Sequence, residues 1–162
     1  DVAIRYGRYA AGNGLHVAHL MDETVFPVAS PMLLNGTKPL RTPEDLLSHR
    51  LLHDSDLRLP DDAWLTWATW FGHWGLTGEP SIAGMGFSDT RLVNRAASAG
   101  QGIALGRSVL VKIYMEQGTL VRLFDDEMNA GVAYYIACSE ARRHETKIAV
   151  FSQWLQEMAE EF

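Results

Sequence analysis

The residue run best suited to polar recognition is Phe87, Ser88, Asp89 and Thr90, which follows a predicted strand and opens a predicted helix. Hydroxyl groups and the backbone N–H groups of a first helical turn converge at such a junction. That chemistry suits a carboxylate or another small polar group. The same residues predict a plain helix cap equally well, because Ser and Asp are favoured at the N-cap. An inward-facing Asp89 would also weaken the attraction of an anion.

Two other predicted strands carry side chains that could reach a crevice. Arg5 and Tyr6 end the first strand, although Arg5 is equally suited to a surface ion pair. Tyr134 and Tyr135 are neighbours in a later strand, so we expect one ring to face inward and the other outward.

Six histidines raise the question of a metal site. His16 and His19 are three residues apart, and His49 and His53 are four apart, spacings that share a face only on a helix. The first pair falls in an extended stretch, and the second pair straddles a helix end and a strand. We therefore expect the rings to diverge, and no metal to be bound.

Neither a cofactor loop nor a nucleophile is indicated. Residues 100–106 have a glycine spacing similar to that of a phosphate-binding loop. Such a loop follows a strand and opens a helix, whereas here the predicted order is helix, glycines, strand. The run predicts a tight helix-to-strand turn, and we expect no cofactor. Ser108 lacks the second glycine of a nucleophile elbow, which disfavours hydrolase chemistry. We expect no catalytic residue.

Strands and helices alternate along the chain, which predicts an α/β architecture with a largely parallel sheet. Binding sites in such sheets lie at the carboxyl ends of the strands. The predicted strands are residues 1–7, 23–30, 51–54, 81–87, 102–105, 119–124 and 132–138. The predicted helices are residues 43–49, 60–74, 90–99, 109–117 and 145–162.

Two of these helices carry a periodic apolar stripe. In residues 60–74 the large apolar side chains recur at spacings of three and four, which favours the core over stacking on a ligand or partner helix. The last helix has an apolar face as well. The two stripes consist of Trp64, Trp67, Phe71 and Trp74, and of Ile148, Phe151, Leu155, Met158 and Phe162.

Composition excludes several classes of protein. The chain has 162 residues, of which 47% are hydrophobic and 21% charged, so a disordered polymer is excluded. A net charge of -6 argues against direct nucleic-acid binding. Cys138 is the only cysteine, which excludes an internal disulfide and favours a reducing compartment. Pro27 and Pro31 interrupt the most apolar run, so no membrane span is expected.

Six segments, in their order and spacing, resemble the C-terminal effector-binding domain of LysR-type transcriptional regulators. The resemblance is to the branch that contains glycine-cleavage activators and regulators of β-lactamase expression. It covers nearly the whole chain. The segments are residues 1–7 (DVAIRYG), 26–31 (FPVASP), 42–46 (TPEDL), 51–54 (LLHD), 96–106 (AASAGQGIALG) and 151–155 (FSQWL).

The resemblance implies a type II periplasmic-binding-protein-like fold, in which two α/β lobes are joined by crossover strands and the effector lies between them. It places residues 24–122 in the second lobe and residues 1–20 and 126–162 in the first. Because the chain starts at Asp1 without Met, we interpret it as a fragment with an incomplete first lobe. The winged helix-turn-helix that reads DNA, and part of the effector site, would lie upstream.

The resemblance also implies an effector site. Thr90 matches a cleft position in the second lobe, and Tyr134 matches one on a returning strand of the first lobe. The hydroxyl groups of both residues suit a polar effector. The remaining expected site residues are Phe87, Ser88 and Asp89 in the same turn, Tyr6 and Gly7 at the end of the facing strand, and Gly102 and Ile103 in a neighbouring loop.

The expected function is therefore ligand sensing. A small polar metabolite would alter promoter binding by a cytoplasmic homodimer or tetramer, which would contact DNA only through the upstream domain and would not contact a membrane. The alternative is a periplasmic solute-binding protein of the same fold, which a secretion signal upstream would reveal. An enzyme would need an activated nucleophile, and the sequence indicates none.

Overall fold

The computed structural model describes residues 1–55, 66–78, 80 and 83–161. The chain divides into two compact units. Unit 1 comprises Asp1–Glu23 and Asn129–Phe162, and unit 2 comprises Thr24–Met128. The predicted lobe boundaries stay a prediction.

Unit 1 is built around an antiparallel strand pair. Strand β1 (Val2–Gly7) pairs with β7 (Met128–Ser139), and Tyr6 lies opposite Tyr134 in the register. Strand β2 (Leu15–Ala29) lies on the other side of β7. Helix α5 (Thr146–Glu160) closes the chain. Of its predicted apolar face, Ile148 is buried, whereas Phe151 and Met158 are exposed.

Unit 1 also has a short 3-10 helix (Glu140–Arg142), and unit 2 contains the other described elements. Its strands are the second half of β2, β3 (Leu51–Asp54), β4 (Met85–Phe87), β5 (Ile103–Arg107) and β6 (Val121–Arg122). Its helices are α1 (Pro31–Leu34), a 3-10 helix (Pro43–Ser48), α2 (Trp67–His73), α3 (Thr90–Ser98) and α4 (Ser108–Glu116).

The prediction of a largely parallel sheet is wrong. In unit 2, β3 pairs in parallel with β4 and β5, but β2 pairs antiparallel with β5 and β6. In unit 1, β1 pairs antiparallel with β7. Alternating strands and helices predict crossovers between sequence neighbours, which produce parallel pairs. They do not fix the direction of strands such as β2, which pair with strands distant in sequence.

Local signals in the sequence explain most of the helix starts. At α3, the Asp89 side chain accepts a hydrogen bond from the backbone of Arg91, a typical N-cap. At the 3-10 helix, Thr42 and Asp45 form a capping box, with Pro43 at the first position. The predicted strand at 119–124 is shorter than expected. Residues 60–65, 81–82 and Phe162 of the predicted elements lie outside the described residues.

The core of unit 2 covers the faces of β2, β3 and β5. On α3 the buried side chains recur with helical spacing, which turns one face of the helix toward these strands. Trp67 and Phe71 are buried as the stripe predicts, and Trp70 joins them, whereas Trp64 lies outside the described residues. One hydrophobic cluster of the described residues consists of Phe26, Val28, Leu52, Val93, Ala96, Ala97, Ala104, Val111 and Leu120.

Candidate functional site

The first turn of α3 is capped by its own Asp89. The carboxylate of Asp89 accepts the backbone N–H of Arg91 at 2.8 Å, and its backbone carbonyl accepts from Leu92 and Val93. The Arg91 guanidinium bonds to the same carboxylate at 2.6 Å. Asp89 thus acts as a helix cap, which is one of the two interpretations that the sequence allowed for this turn. A carboxylate already occupies the position in which an anion would bind.

Thr90 hydrogen-bonds to a carboxylate that the sequence analysis did not single out. Its hydroxyl donates to Asp54, the last residue of β3. In the parallel pairing of β3 with β4, Asp54 lies opposite Phe87, and the Ser55 N–H donates to the Phe87 carbonyl at 2.7 Å. Because the carboxyl ends of parallel strands share one edge, Asp54, Phe87 and Thr90 come together. The sequence signal that could have identified Asp54 is its position as the acidic last residue of the predicted strand 51–54.

A small pocket opens at this edge of unit 2. Its volume is about 40 Å³. One wall includes Trp67, whose indole N–H donates to the Leu52 carbonyl at 2.9 Å and so fixes the ring. The lining residues are Leu52, His53, Asp54, Thr66, Trp67, Val93 and Leu105.

The other predicted residues of unit 2 lie elsewhere. Ser88 is exposed in the turn before α3. Gly102 and Ile103 lie at the amino end of β5, where Ile103 pairs with Leu51 at the start of β3. They are therefore at the opposite edge of the parallel strands from Asp54, and both are buried. The structure does not bring them together with Thr90.

Unit 1 brings together the predicted tyrosines and a buried acid. The ring centroids of Tyr6 and Tyr134 are 4.8 Å apart. The Tyr134 hydroxyl donates to Glu23 at 3.3 Å, and Glu23 is fully buried. Gly7 has φ of 141°, which favours glycine, and its backbone packs against the ring of Tyr9. The sequence analysis did not include Glu23 among the site residues. Its position as an acidic residue at the start of the apolar strand 23–30 could have indicated it.

Tyr134 and Tyr135 lie on opposite faces of β7, as alternation requires. The ring of Tyr135 packs edge-on against the rings of Tyr9 and His19, with ring centroids 5.8 Å and 5.7 Å apart. Tyr134 instead packs against Tyr6. Both rings are half-buried. The expected contrast between an inward and an outward ring is therefore weaker than predicted.

The histidines have separate partners. His19 contacts Asp22 at 2.9 Å, and the His49 ring lies 3.0 Å from the Pro39 carbonyl. Within the described residues, no group of three potential metal ligands comes together. Over the same part of the chain, no helix is long and apolar enough to cross a membrane.

Burial lowers the pKa of His53, which lines the small pocket. The neutral form is therefore favoured in the folded chain, and protonation favours the unfolded chain. We expect stability to fall as the pH drops below the ordinary histidine pKa of about 6.5. The effect is small, because the His53 side chain is largely exposed to solvent and its burial is only partial. Urea unfolding between pH 7.5 and pH 5 measures it, and His53→Gln should reduce the loss.

His144→Gln is the control for this prediction, because His144 is exposed. It should leave the pH dependence close to that of the parent chain. Identical pH profiles for His53→Gln and His144→Gln would contradict the prediction.

Comparison with known proteins gives one family. The LysR substrate binding domain matches residues 1–160. The chain is 42% identical over 157 residues to the glycine cleavage system transcriptional activator of Escherichia coli (strain K12), a match that covers 96% of this chain and 48% of that protein. A homolog of that activator from Haemophilus influenzae is 32% identical over 157 residues. The chain thus spans about half the length of the curated relatives it matches.

Solved structures show the same fold. The AmpR effector binding domain from Citrobacter freundii superposes with a TM-score of 0.73 at 24% identity, covering 100% of this chain and 76% of that one. The effector domain of the transcriptional regulator AmpR of Pseudomonas aeruginosa gives a TM-score of 0.71 at 26% identity, covering 98% and 71%. The expected type II periplasmic-binding-protein-like α/β fold class is confirmed.

Proposed function

This chain belongs to the LysR substrate-binding domain family, and from that premise we propose that it is the ligand-sensing part of a bacterial LysR-type transcription regulator. The observation that carries the proposal is the family match along residues 1–160, supported by relatives that are named as transcriptional activators. Those relatives are regulators and not enzymes. The proposed role is binding without chemical conversion.

We propose that the effector contacts residues of both units. In unit 2 these are Phe87 and Thr90, with Ser88 and Asp89 in the same turn. In unit 1 they are Tyr6, Gly7 and Tyr134, and the bond from Tyr134 to buried Glu23 supports a fixed hydroxyl position. Gly102 and Ile103 stay predictions, and their place at the amino end of β5 gives them less support.

A sensing domain acts through differential affinity. An effector that binds one arrangement of the protein more tightly shifts the population toward it, with a coupling free energy of about 1–3 kcal/mol in typical systems. In the whole protein we propose that this shift changes promoter binding. We further propose a cytoplasmic homodimer or tetramer, in which an upstream helix-turn-helix contacts the DNA.

Binding of polar metabolites to the chain tests this function. A panel of amino acids, amines, hydroxy acids, sugars and nucleosides would be screened by thermal shift, and hits would be titrated by calorimetry. We expect at least one chemical class to raise the melting temperature saturably, because a ligand that binds only the folded state stabilises it. A panel without any saturable ligand would count against the function.

Thr90→Ala should weaken the binding of that ligand by roughly threefold to tenfold, because one hydrogen bond contributes about 0.5–1.5 kcal/mol. The fold should survive, since alanine is a good helix former. Thr37→Ala is the control, because Thr37 is exposed in a loop of the same unit. Equal affinities for the two variants would remove Thr90 from the site.

A further inference from the structure

Exposed apolar side chains are concentrated in unit 1. Among the described residues, thirteen large apolar side chains are exposed, and seven of them belong to unit 1. Unit 1 makes up only about a third of the chain, so its surface is apolar for its size. Contiguous apolar surface marks a place where another segment or another molecule packs.

Four of these side chains form one face of helix α5. Val150, Phe151, Trp154 and Met158 fall within an arc of about 100° around the helix, which is the width of a typical packing stripe. The ring centroids of Phe151 and Trp154 are 5.7 Å apart. Ile148 is buried and lies outside this arc, so the helix packs through a different side. We call these four exposed residues the α5 apolar face.

Strand β1 is incompletely covered as well. Ile4 lies opposite Ile136 in the antiparallel pair, so both side chains point to the same side of the sheet. Ile136 is buried and Ile4 is exposed, so the layer that covers β7 does not reach β1. The outer edge of β1 pairs with no strand among the described residues. A free edge of this kind is a template for another strand.

The start of the chain lies beside both of these surfaces. Asp1 leads directly into β1, and its carboxylate contacts Arg142 at 2.6 Å and Lys147 at 2.7 Å. Lys147 is on α5, one helical turn before Val150, a distance of about 5 Å along the helix. Residues that precede Asp1 would therefore emerge next to the α5 apolar face and next to the edge of β1.

Solved effector domains of the same fold contain more chain than this one. The chain covers 76% of the AmpR domain from Citrobacter freundii and 71% of the AmpR domain from Pseudomonas aeruginosa. About a quarter of each of those chains therefore has no counterpart here, which corresponds to about 50 residues. A segment of that length is long enough for a strand and a helix of ordinary size.

We propose that the polypeptide upstream of Asp1 folds back onto unit 1, where an extended segment pairs with the outer edge of β1 and an apolar helix covers the α5 apolar face. Trp154 is then a core residue of the complete protein. This inference concerns the assembly of unit 1 and does not depend on the sensing function, because a solute-binding protein of this fold would need the same cover.

Hydroxyl-radical footprinting of the complete protein tests the cover without any substitution. In the 162-residue chain Met158 is 45% exposed, between Met115 at 36% and Met32 at 71% in unit 2. Each oxidation rate is normalised to that of the same residue in the unfolded protein. We expect Met158 to be oxidised at least tenfold more slowly than Met32, and Trp154 to be protected with it. A rate for Met158 between those of Met115 and Met32 would overturn the proposal.

Photo-crosslinking identifies what covers the face. A p-benzoylphenylalanine in place of Val150, at the margin of the α5 apolar face, should crosslink to residues upstream of Asp1. A mixture of isotopically light and heavy proteins should give this product only within one chain. A mixed light and heavy product would show that a second copy covers the face, and either that result or the lack of an upstream product would overturn the proposal. The same probe at Ile113, which is exposed on α4, is the control and should give no upstream product within one chain.

The stability of Trp154→Ala provides a third readout. In the 162-residue chain this variant removes a half-exposed ring, whereas in the complete protein it would open a cavity beneath the upstream segment. We expect the shift of the urea midpoint to be at least twofold larger in the complete protein, and equal shifts would contradict the cover. Ligand binding enters none of these measurements, so their failure would leave the sensing function standing.

Discussion

Trp70→Ala is expected to lower the free energy of unfolding by about 3–5 kcal/mol, the range for removing a large buried aromatic side chain. Trp70 is fully buried in α2. The centroid of its ring lies 6.0 Å from the ring centroid of Trp67, 5.7 Å from that of Phe71 and 6.1 Å from that of Trp74. Removing the ring therefore opens a cavity among three other aromatic rings. Urea unfolding followed by far-UV circular dichroism measures the loss.

Two further variants sharpen this prediction. Trp154→Ala removes an indole that is 50% exposed on α5, and it should cost far less. Trp70→Phe keeps an aromatic ring and removes a buried indole N–H for which the described residues provide no hydrogen-bond partner. It should therefore cost less than Trp70→Ala. Equal losses for Trp70→Ala and Trp154→Ala would show that Trp70 is not a core residue.

Gly102→Ala is expected to cost about 1–3 kcal/mol, as overpacking does in a close-packed interior. A Cβ at Gly102 would lie 2.6 Å from the Arg50 carbonyl oxygen and 2.9 Å from a methyl carbon of Leu52. The same carbonyl accepts the N–H of Ile103 at 2.9 Å, so the new atom would push apart the hydrogen bond that starts the pairing of β3 with β5. The urea midpoint is the measurement.

Gly72→Ala is the matched control for Gly102→Ala. Gly72 lies in α2, and among the described residues a Cβ there would meet no atom within 4 Å beyond its own helix backbone and chain neighbours. Alanine favours the helix by up to about 1 kcal/mol over glycine, so Gly72→Ala should be neutral or stabilising. A Gly102→Ala chain as stable as the parent would show that the approach of Gly102 to Arg50 is not tight.

The sequence predicted those elements whose signals are local. The helix that begins at Pro43, the cap of the helix after Asp89 and the strand over residues 23–30 each depend on neighbouring residues, and all are present. The direction of pairing was not predictable in the same way. Whether β2 runs parallel or antiparallel to β5 depends on contacts about 80 residues apart in the chain.

The candidate site shows the same limit. The run from Phe87 to Thr90 was found because a strand end and a helix start adjoin in the sequence. Asp54 is 36 residues from its partner Thr90, and Glu23 is 111 residues from Tyr134, so no local pattern connects them. Gly102 was predicted for the site from the resemblance, but the structure gives it a tight packing contact at the other end of the strands.

The most direct test of the regulatory function is the reading frame upstream of the Asp1 codon. We predict that it encodes a basic winged helix-turn-helix of about 60 residues, followed by a long amphipathic helix and the opening strand and helix of the first lobe. A secretion signal of about 15–30 residues, with no DNA-binding domain, would instead indicate a periplasmic solute-binding protein and contradict the regulatory function.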